Sequence, residues 1–291
     1  MKRILFTAFL AISSISISSI AAATTYPFTF KDDLGRTVTI KAEPKHIISV
    51  LPSNTEIICA LGACNRLIGV DDYSNFPESV TTLPKVGGLY NPNLEQMVAL
   101  QPDLIVISKY GKLVEPLSRA GITVVAINPE KYAEIFSKTT ILGKVLNLEA
   151  AAKNLNLEVQ SKVKLLELRV RALKHPTAYF EIDPTPYTIG PDSFMGVMLR
   201  KAGAVNIIPN TLGDFPKISP ELVLEKNPQI MLGLTLEEAQ KRPGWSEIAA
   251  VKTGKVFDIT GTLNDTLVRP GPRIALGLEG LIKIVHPELK N

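Results

Sequence analysis

One segment of the chain, residues 149–174, runs without glycine or proline. A fully helical segment of this length forms a rod of roughly 39 Å. Its apolar residues recur at three- and four-residue intervals, which predicts an amphipathic helix with a single apolar stripe. The stripe consists of Leu155, Val159, Val163, Leu166, Val170 and Leu173. We interpret the segment as a rigid strut packed along two separate units. A coiled-coil arm is the alternative, but no heptad is sustained.

Strand and helix patterns alternate on both sides of this strut. Predicted strands are residues 37–40, 47–50, 67–70, 104–107, 123–127, 177–182, 230–234 and 256–258. Predicted helices are residues 54–61, 94–100, 113–120, 194–202, 220–226 and 272–285. Such alternation is typical of parallel sheets flanked by helices. The predicted fold class is therefore α/β, with two Rossmann-like lobes joined by one long helix.

An internal repeat supports two similar lobes, because residues 93–107 align without gaps on residues 219–233. The alignment places Glu95 on Glu221. The pattern of each unit predicts a helix with a glutamate in its first turn, followed by a turn with proline and then a strand. The predicted helix N-caps are Asn93 and Ser219. The predicted units are an N-terminal lobe over residues 24–146, a linking helix over 147–175 and a C-terminal lobe over 176–291.

The N-terminus has the three parts of a cleavable secretory signal over residues 1–23: a basic start, an apolar stretch over 4–20 and three alanines. A membrane anchor is the alternative, but the stretch is near the lower length limit for spanning a bilayer. No cysteine lies near the predicted cleavage point before Thr24. We therefore expect an exported chain without a lipid-modified N-terminus.

Charge and rare residues exclude several classes of protein. The chain has 32 basic and 28 acidic residues, too even a balance for nucleic-acid binding through a basic surface. Three histidines and two cysteines are too few for a disulfide scaffold and provide few ligands for a metal site. The sequence leaves open whether Cys59 and Cys64 form a disulfide, because Cys59 fits a core position equally well.

No sequence motif for catalysis is present. The sequence contains no nucleophile elbow, phosphate-binding loop or dinucleotide-binding turn. Gly87 and Gly88 lie in a loop without the helix context of a phosphate site. We assign no catalytic residue, no metal ligand and no cofactor, and we expect a binding protein rather than an enzyme.

The loops that follow the predicted strands carry aromatic and charged residues. Open α/β lobes place ligands at such loops. The residues are Tyr73, Phe76, Leu89, Tyr90, Tyr110, Tyr187, Phe215, Asp265, Arg269 and Arg273. Any one aromatic residue could equally serve packing. Together they predict a cleft between the lobes with a broad, partly apolar lining.

Several segments together resemble the substrate-binding proteins of ABC importers for cobalamin, ferric siderophores and haem. They are residues 33–38, 44–56, 61–62, 93–95, 102–104 and 242–245. The resemblance spans about residues 27–286. It implies two α/β lobes joined by one helix, a ligand held between them, a periplasmic location and a monomer. It also implies delivery of the ligand to a permease and ATPase complex in the inner membrane.

The resemblance assigns roles to individual residues. In that family one glutamate of each lobe docks with arginines of the permease, and the matching positions are Glu95 and Glu221. Alternatively, a carboxylate in a first helical turn only complements the helix dipole. A dipole role does not require the same position in both lobes, so we favour docking.

The sequence is most similar to the cobalamin-binding branch of this family. The ligand residues implied are Tyr73, Leu89, Tyr90, Phe215, Asp265 and Arg269. The sole tryptophan, Trp245, matches a peripheral position rather than the cleft. A ferric siderophore or haem is the alternative ligand. An exported metal-dependent hydrolase and a receptor for bare metal ions are more distant alternatives, which the small number of histidines disfavours.

Overall fold

The computed structural model describes residues 23–111 and 113–289. The predicted secretory signal therefore lies, except for Ala23, outside the described residues. Among the described helices, none has the length and apolar character needed to cross a membrane.

The N-terminal lobe begins with an antiparallel hairpin and continues into a parallel sheet in the order β4-β3-β5-β6. Its strands are β1 (Phe28–Lys31), β2 (Thr37–Ile40), β3 (Ile47–Val50), β4 (Leu67–Val70), β5 (Leu104–Ile107) and β6 (Thr123–Ala126). Its helices are α1 (Pro52–Ala60), α2 (Leu94–Ala99), α3 (Val114–Arg119) and α4 (Tyr132–Val145). Neighbouring residues Ile47 and Ile48 enter two different apolar clusters, because successive side chains point to opposite faces of the sheet.

The long helix α5 (Glu149–Val170) leads into the C-terminal lobe, whose sheet has the order β11-β10-β7-β8, with β9 also paired to β7. Its strands are β7 (Thr177–Asp183), β8 (Tyr187–Thr188), β9 (Val205–Asn206), β10 (Ile230–Leu232) and β11 (Val256–Phe257). Its helices are α6 (Phe194–Lys201), α7 (Pro220–Lys226), α8 (Leu236–Lys241), α9 (Ala249–Lys252), α10 (Gly261–Val268) and α11 (Ile274–Val285). Only β8 runs antiparallel in this sheet of the described chain.

The two sheets have the same core topology. Strands β4, β3, β5 and β6 correspond in order to β9, β7, β10 and β11. The repeat falls into the same place in both lobes: Leu104 pairs with Ile47 of β3, and its repeat partner Ile230 pairs with Ala178 of β7. The predicted α/β class with parallel sheets and a long connecting helix is confirmed.

Helix α5 packs on the cores of both lobes. Ala152 belongs to the apolar core of the N-terminal lobe and Val163 to that of the C-terminal lobe, while Leu155 packs against both. The helix ends at Val170, four residues before the end of the predicted rod. The chain turns there because the Leu173 N–H donates to the Val170 carbonyl at 3.0 Å and the Leu173 side chain packs on the C-terminal core.

Helix α4, which the sequence patterns did not predict, also spans both cores. Ile135 lies in the core of the C-terminal lobe, whereas Leu142 and Val145 lie in that of the N-terminal lobe. Its first turn is fixed by Glu134, whose carboxylate accepts the N–H of Lys131 at 3.0 Å. Helix α4 therefore packs beside the connecting helix α5 at the junction of the two cores.

The structure shows that Cys59 and Cys64 form a disulfide. This bond joins the last turn of α1 to the following turn. Both cysteines of the sequence are thus paired with each other.

Candidate ligand-binding cleft between the lobes

A cleft of about 520 Å³ lies between the two lobes. The N-terminal lobe lines it with residues that follow β3, β4 and β6, and the C-terminal lobe with the end of α10 and the residues after it. The lining residues are Val50, Leu51, Pro52, Ser53, Asp71, Tyr73, Leu89, Tyr90, Asn128, Pro129, Asn264, Asp265, Val268, Arg269 and Pro270. The cleft thus lies at the carboxyl ends of parallel strands, where open α/β folds hold ligands.

Most of the predicted ligand residues come together here. Those that line the cleft are Tyr73, Leu89, Tyr90, Asp265 and Arg269. Tyr73 is 68% exposed and Tyr90 is 95% exposed, so both rings are available to a ligand. Large exposed rings on one wall provide a flat apolar surface with polar hydroxyl groups.

Phe215 is the predicted ligand residue that is not among the cleft-lining residues. Its side chain is exposed. Its neighbour Asp214 pairs with Lys131 of the N-terminal lobe, at a second point of contact between the lobes. The Asp214 carbonyl accepts the Gly190 N–H at 2.7 Å, which ties this loop to its own lobe.

A buried carboxylate fixes the turn that carries Tyr73. The Asp71 side chain is buried, its Oδ1 accepts the Tyr73 N–H at 2.9 Å, and its Oδ2 accepts the Ser74 hydroxyl at 2.5 Å. Lys85 lies beside this turn and donates to the Ser74 carbonyl at 2.7 Å. Burial raises the pKa of Asp71, and the hydrogen bonds only partly oppose this. Asp71 is therefore a structural part of the cleft lining.

The glycine pair before Leu89 has a conformational role. Gly87 has φ +84°, and a Cβ there would lie 2.3 Å from the Asn91 carbonyl oxygen. A Cβ on Gly88 would lie 3.1 Å from the Tyr73 ring. Only glycine permits this close turn. The turn places Leu89 and Tyr90 in the cleft beside Tyr73.

An ion-pair cluster joins the lobes beneath the cleft. Glu56 of α1 is 3% exposed and accepts two hydrogen bonds from Arg273, from Nε at 2.8 Å and from Nη2 at 2.5 Å. Arg269 donates to the same carboxylate at 3.2 Å and to Asn75 Oδ1 at 2.7 Å. The two arginines are among the residues predicted for the cleft, whereas Glu56 is not. A signal was present, because Glu56 is the one charged residue in the sequence of α1.

A second set of ion pairs lies near Phe215. Lys131 pairs with Asp214 and donates to the Asp192 carbonyl at 3.1 Å, so it connects the lobes. Nearby, Lys109 contacts Glu130 at 2.6 Å. Burial opposes ionisation of Glu130, but hydrogen bonds from Lys109 and Tyr110 hold its pKa below the usual value.

The two glutamates of the repeat occupy equivalent surface positions. Glu95 and Glu221 both lie exposed in the first turn of their helices, and neither pairs with a basic side chain of the described chain. Their helix starts differ. Asn93 accepts the Gln96 N–H at 3.0 Å and is an N-cap as predicted. Ser219 is the N-cap residue of its helix as predicted, but it makes no side-chain cap hydrogen bond; Pro220 follows it at the first helical position, where an N–H is not needed.

The described residues contain no group of three or more His, Cys, Asp or Glu side chains placed to hold a metal ion.

Comparison with known proteins identifies the class that this architecture belongs to. The family model "Periplasmic binding protein" matches residues 47–263. An uncharacterized ABC transporter substrate-binding lipoprotein of Bacillus subtilis, YvrC, is 32% identical over 277 residues, which cover 90% of this chain and 87% of that protein. The chain therefore belongs to the periplasmic binding protein family. It is the substrate-binding protein of an ABC importer, not an enzyme, and such proteins work with a membrane permease and ATPase.

Two further relatives carry ligand names. A vitamin B12-binding protein of Vibrio vulnificus is 27% identical over 251 residues, covering 83% of this chain and 90% of that protein. A crystal structure described as a possible iron-binding periplasmic solute-binding protein from Staphylococcus epidermidis superposes with a TM-score of 0.76 at 29% identity. The superposition covers 84% of this chain and all of the Staphylococcus epidermidis chain. The relatives thus agree on the class and differ in the ligand.

Proposed function

We propose that this substrate-binding protein captures cobalamin or another corrinoid between its lobes and delivers it to an inner-membrane permease. The observation that carries the proposal is the cleft wall formed by Tyr73, Leu89 and Tyr90, opposite Asp265 and Arg269. The vitamin B12-binding relative, which aligns over most of both chains, supports the same ligand.

The chemistry of a corrinoid fits this arrangement. A corrinoid is large and flat and has little net charge, so it needs broad apolar contact and a few directed hydrogen bonds. The exposed rings of Tyr73 and Tyr90 offer the contact. Asp265 offers acceptor oxygens and Arg269 a planar donor group. A predominantly apolar lining with few polar groups is typical of small-molecule sites.

Calorimetric titration of the purified protein tests the ligand. Cyanocobalamin, haem and a small panel of ferric siderophores are compared under identical conditions. We expect cyanocobalamin to bind most tightly. Tighter binding of any other member of the panel would contradict the proposal.

Haem is the second candidate, and a specific observation favours it over other chelates. The hydroxyl groups of Tyr73 and Tyr90 lie on exposed side chains at the cleft, and a tyrosine oxygen is one of the axial ligands that proteins offer to haem iron. Haem binding through such a ligand would produce a shifted Soret band that is lost in a Tyr73→Phe, Tyr90→Phe double variant. Cyanocobalamin binding does not depend on either hydroxyl group as a metal ligand.

We further propose that Glu95 and Glu221 dock with the permease, that residues 1–23 are cleaved on export to the periplasm, and that the mature protein is a monomer. Exposure at matched positions of the two lobes supports docking. The absence of a cysteine before Cys59 argues against lipidation of a cysteine near residue 24. Intact mass and N-terminal sequencing of the exported protein test the cleavage, with Thr24 expected as the first residue.

A further inference from the structure

We propose that Glu56 cancels the positive charge beneath the cleft, so that the receptor selects metal chelates without net negative charge. This inference rests on the proposed function of the cleft as a chelate site. It concerns the charge class of the ligand rather than its identity, so it can be tested separately from the corrinoid assignment.

Three charged residues line the cleft: Asp71, Asp265 and Arg269. Arg269 is therefore the one permanently cationic side chain among the lining residues, and an anionic ligand would depend on it. The availability of Arg269 decides what the cleft can bind.

Arg269 already makes four contacts within the protein. Its guanidinium donates to Glu56 at 3.2 Å, to Asn75 Oδ1 at 2.7 Å and to the Tyr73 carbonyl at 3.3 Å, and it pairs with Asp265 at 2.9 Å. Its side chain is only 11% exposed. It holds the lobes together and orients neighbouring groups, but it offers little free charge to a ligand.

Arg273 is engaged in the same way. Both of its contacts with Glu56 are short, at 2.8 Å and 2.5 Å, and its guanidinium lies 4.0 Å from the centre of the Phe76 ring. Its side chain is 12% exposed. The four charged groups of the cluster, two arginines with Glu56 and Asp265, therefore sum to zero.

The other basic side chains near the cleft are engaged as well. Lys131 pairs with Asp214, and Lys109 pairs with Glu130. Lys85 donates to backbone carbonyls of the turn that carries Tyr73. Among the described residues of these walls, no lysine or arginine extends into the cleft without a partner.

Selection against anions follows from these contacts. To bind an anionic group, Arg269 would have to give up its contacts with Glu56 and Asp265. Glu56 is buried and would keep Arg273 as its charged partner, so the cost is the loss of one of its two ion pairs. A neutral chelate can use the hydrogen-bonding edges of Asp265 and Arg269 without disturbing Glu56.

The test compares two ligands of nearly equal size that differ by one charge: cyanocobalamin and its monocarboxylate, in which one peripheral amide is hydrolysed. The wild-type protein should bind the neutral form about tenfold more tightly, because the ligand carboxylate loses hydration in the cleft without gaining a free cationic partner. Glu56→Gln frees one positive charge and should reduce this ratio about tenfold, the order expected for one unit charge a few ångströms away in a partly hydrated site. Arg273→Gln added to Glu56→Gln returns the charge count to zero and should restore the ratio.

The matched control is Glu181→Gln. Glu181 is also 3% exposed and is held by two hydrogen bonds from Arg242, at 2.5 Å and 2.7 Å, but neither residue lines the cleft. This variant changes the net charge equally and breaks a buried ion pair of the same kind, so its ligand ratio should stay at the wild-type value. An equal change in both variants would overturn the inference.

The result is separable from the corrinoid assignment. If the protein binds no corrinoid, the proposed ligand is wrong, and a neutral ferric trihydroxamate and a trianionic ferric tricatecholate serve as the ligand pair. Preference for the trihydroxamate supports the inference, and preference for the tricatecholate overturns it. If Glu56→Gln fails to fold, the affinities of the wild-type protein for the neutral and anionic ligands still test the inference. Equal affinity for the two forms overturns it. Binding of neither ligand pair overturns it as well.

Discussion

The two lobes share one sheet topology but contribute to the cleft from different loops. In the N-terminal lobe the segment between β4 and α2 provides Tyr73, Leu89 and Tyr90. The equivalent segment of the C-terminal lobe, between β9 and α7, contains Phe215 and does not line the cleft. The C-terminal lobe uses instead the end of α10 and the residues that follow.

Backbone hydrogen bonds explain this difference. In the C-terminal lobe the Pro216 carbonyl accepts the Thr188 N–H at 3.0 Å, and the Ile218 N–H donates to the Pro186 carbonyl at 3.2 Å. The segment is thus tied along the β7–β8 hairpin. Among its described residues the N-terminal lobe has no strand at the place of β8, and there the glycine turn leaves Tyr90 exposed. The comparison teaches that the repeat fixes the sheets, while local pairing of the loops decides which lobe presents aromatic side chains.

The largest expected effect tests whether the lobes are equivalent in docking. Reversing both glutamates, Glu95→Arg with Glu221→Arg, should abolish uptake by cells while leaving ligand affinity in calorimetry unchanged, because both side chains are exposed on helices outside the cleft. Each single reversal should reduce uptake to a similar extent if both lobes dock. Glu225→Arg, an exposed change on the same helix as Glu221, is the control. Normal uptake by the double variant would exclude docking through these residues.

A smaller effect tests whether the lobes differ in ligand contact. Tyr73→Ala should weaken ligand affinity about tenfold, or about 1.5 kcal/mol, because a large aromatic contact is lost. Phe215→Ala should change affinity much less, because Phe215 is not among the cleft-lining residues. Calorimetry measures both, with Tyr110→Ala as a control for loss of an exposed tyrosine outside the cleft lining. An equal loss in the Phe215 variant would mean that the C-terminal loop also contacts the ligand.

The helix starts of the repeat allow a comparison of stability. Asn93→Ala removes a side chain that accepts the Gln96 N–H, and it should cost about 1 kcal/mol in urea denaturation. Ser219→Ala should cost close to nothing, because Ser219 makes no side-chain cap hydrogen bond. Equal losses would show that the two helix starts are stabilised in the same way.

The smallest expected effect is a pH slope that distinguishes the buried carboxylates of the two lobes. Burial raises the pKa of Asp71 above 3.8, so protonation stabilises the folded state, and this contribution is lost as pH rises through the folded pKa. Asp71→Asn keeps an acceptor for the Tyr73 N–H and carries no charge. Its stability relative to wild type should therefore increase as pH rises above about 3.8. Denaturation at several pH values measures the slope.

Two variants serve as contrasts for this slope. Asp72→Asn removes an exposed carboxylate from the same turn and controls for the loss of one negative charge. Glu181→Gln breaks an ion pair with Arg242 in the other lobe and should lower stability at neutral pH. A slope of the opposite sign for Asp71→Asn would mean that its ionised form is the one stabilised by the fold.

The elements that the sequence predicts best are buried strands and the repeat. Strands β2, β3, β4 and β5 have the predicted bounds, because short β-branched and aliphatic runs between turns have few alternatives. Helix α4 was missed, although Tyr132, Ile135, Phe136 and Leu142 follow helical spacing. Its N-cap is Lys131 rather than a residue typical of helix starts, so the usual signal was absent. The two-residue strands β8 and β9 carry too little sequence pattern to predict.

For the site, sequence reasoning found side chains but not their partners. Tyr73, Leu89, Tyr90, Asp265 and Arg269 line one cleft, as expected of residues that follow parallel strands. Glu56 was missed because its partner Arg273 lies in the other lobe, far along the chain. Contacts of this kind depend on how two separately folded sheets are placed, which local pattern does not encode.

The α/β class, the duplicated unit and the long amphipathic helix can be predicted from the chain alone, because they follow from the spacing of hydrophobic residues and from the turns between them. How the lobes meet, and which groups the cleft offers to a ligand, depends on the folded arrangement. Burial of Glu56 between Arg269 and Arg273 pairs two positive charges that the sequence places in loops at the cleft. The physical reason is that the effective charge of a side chain depends on its neighbours in space, and these neighbours come from both lobes.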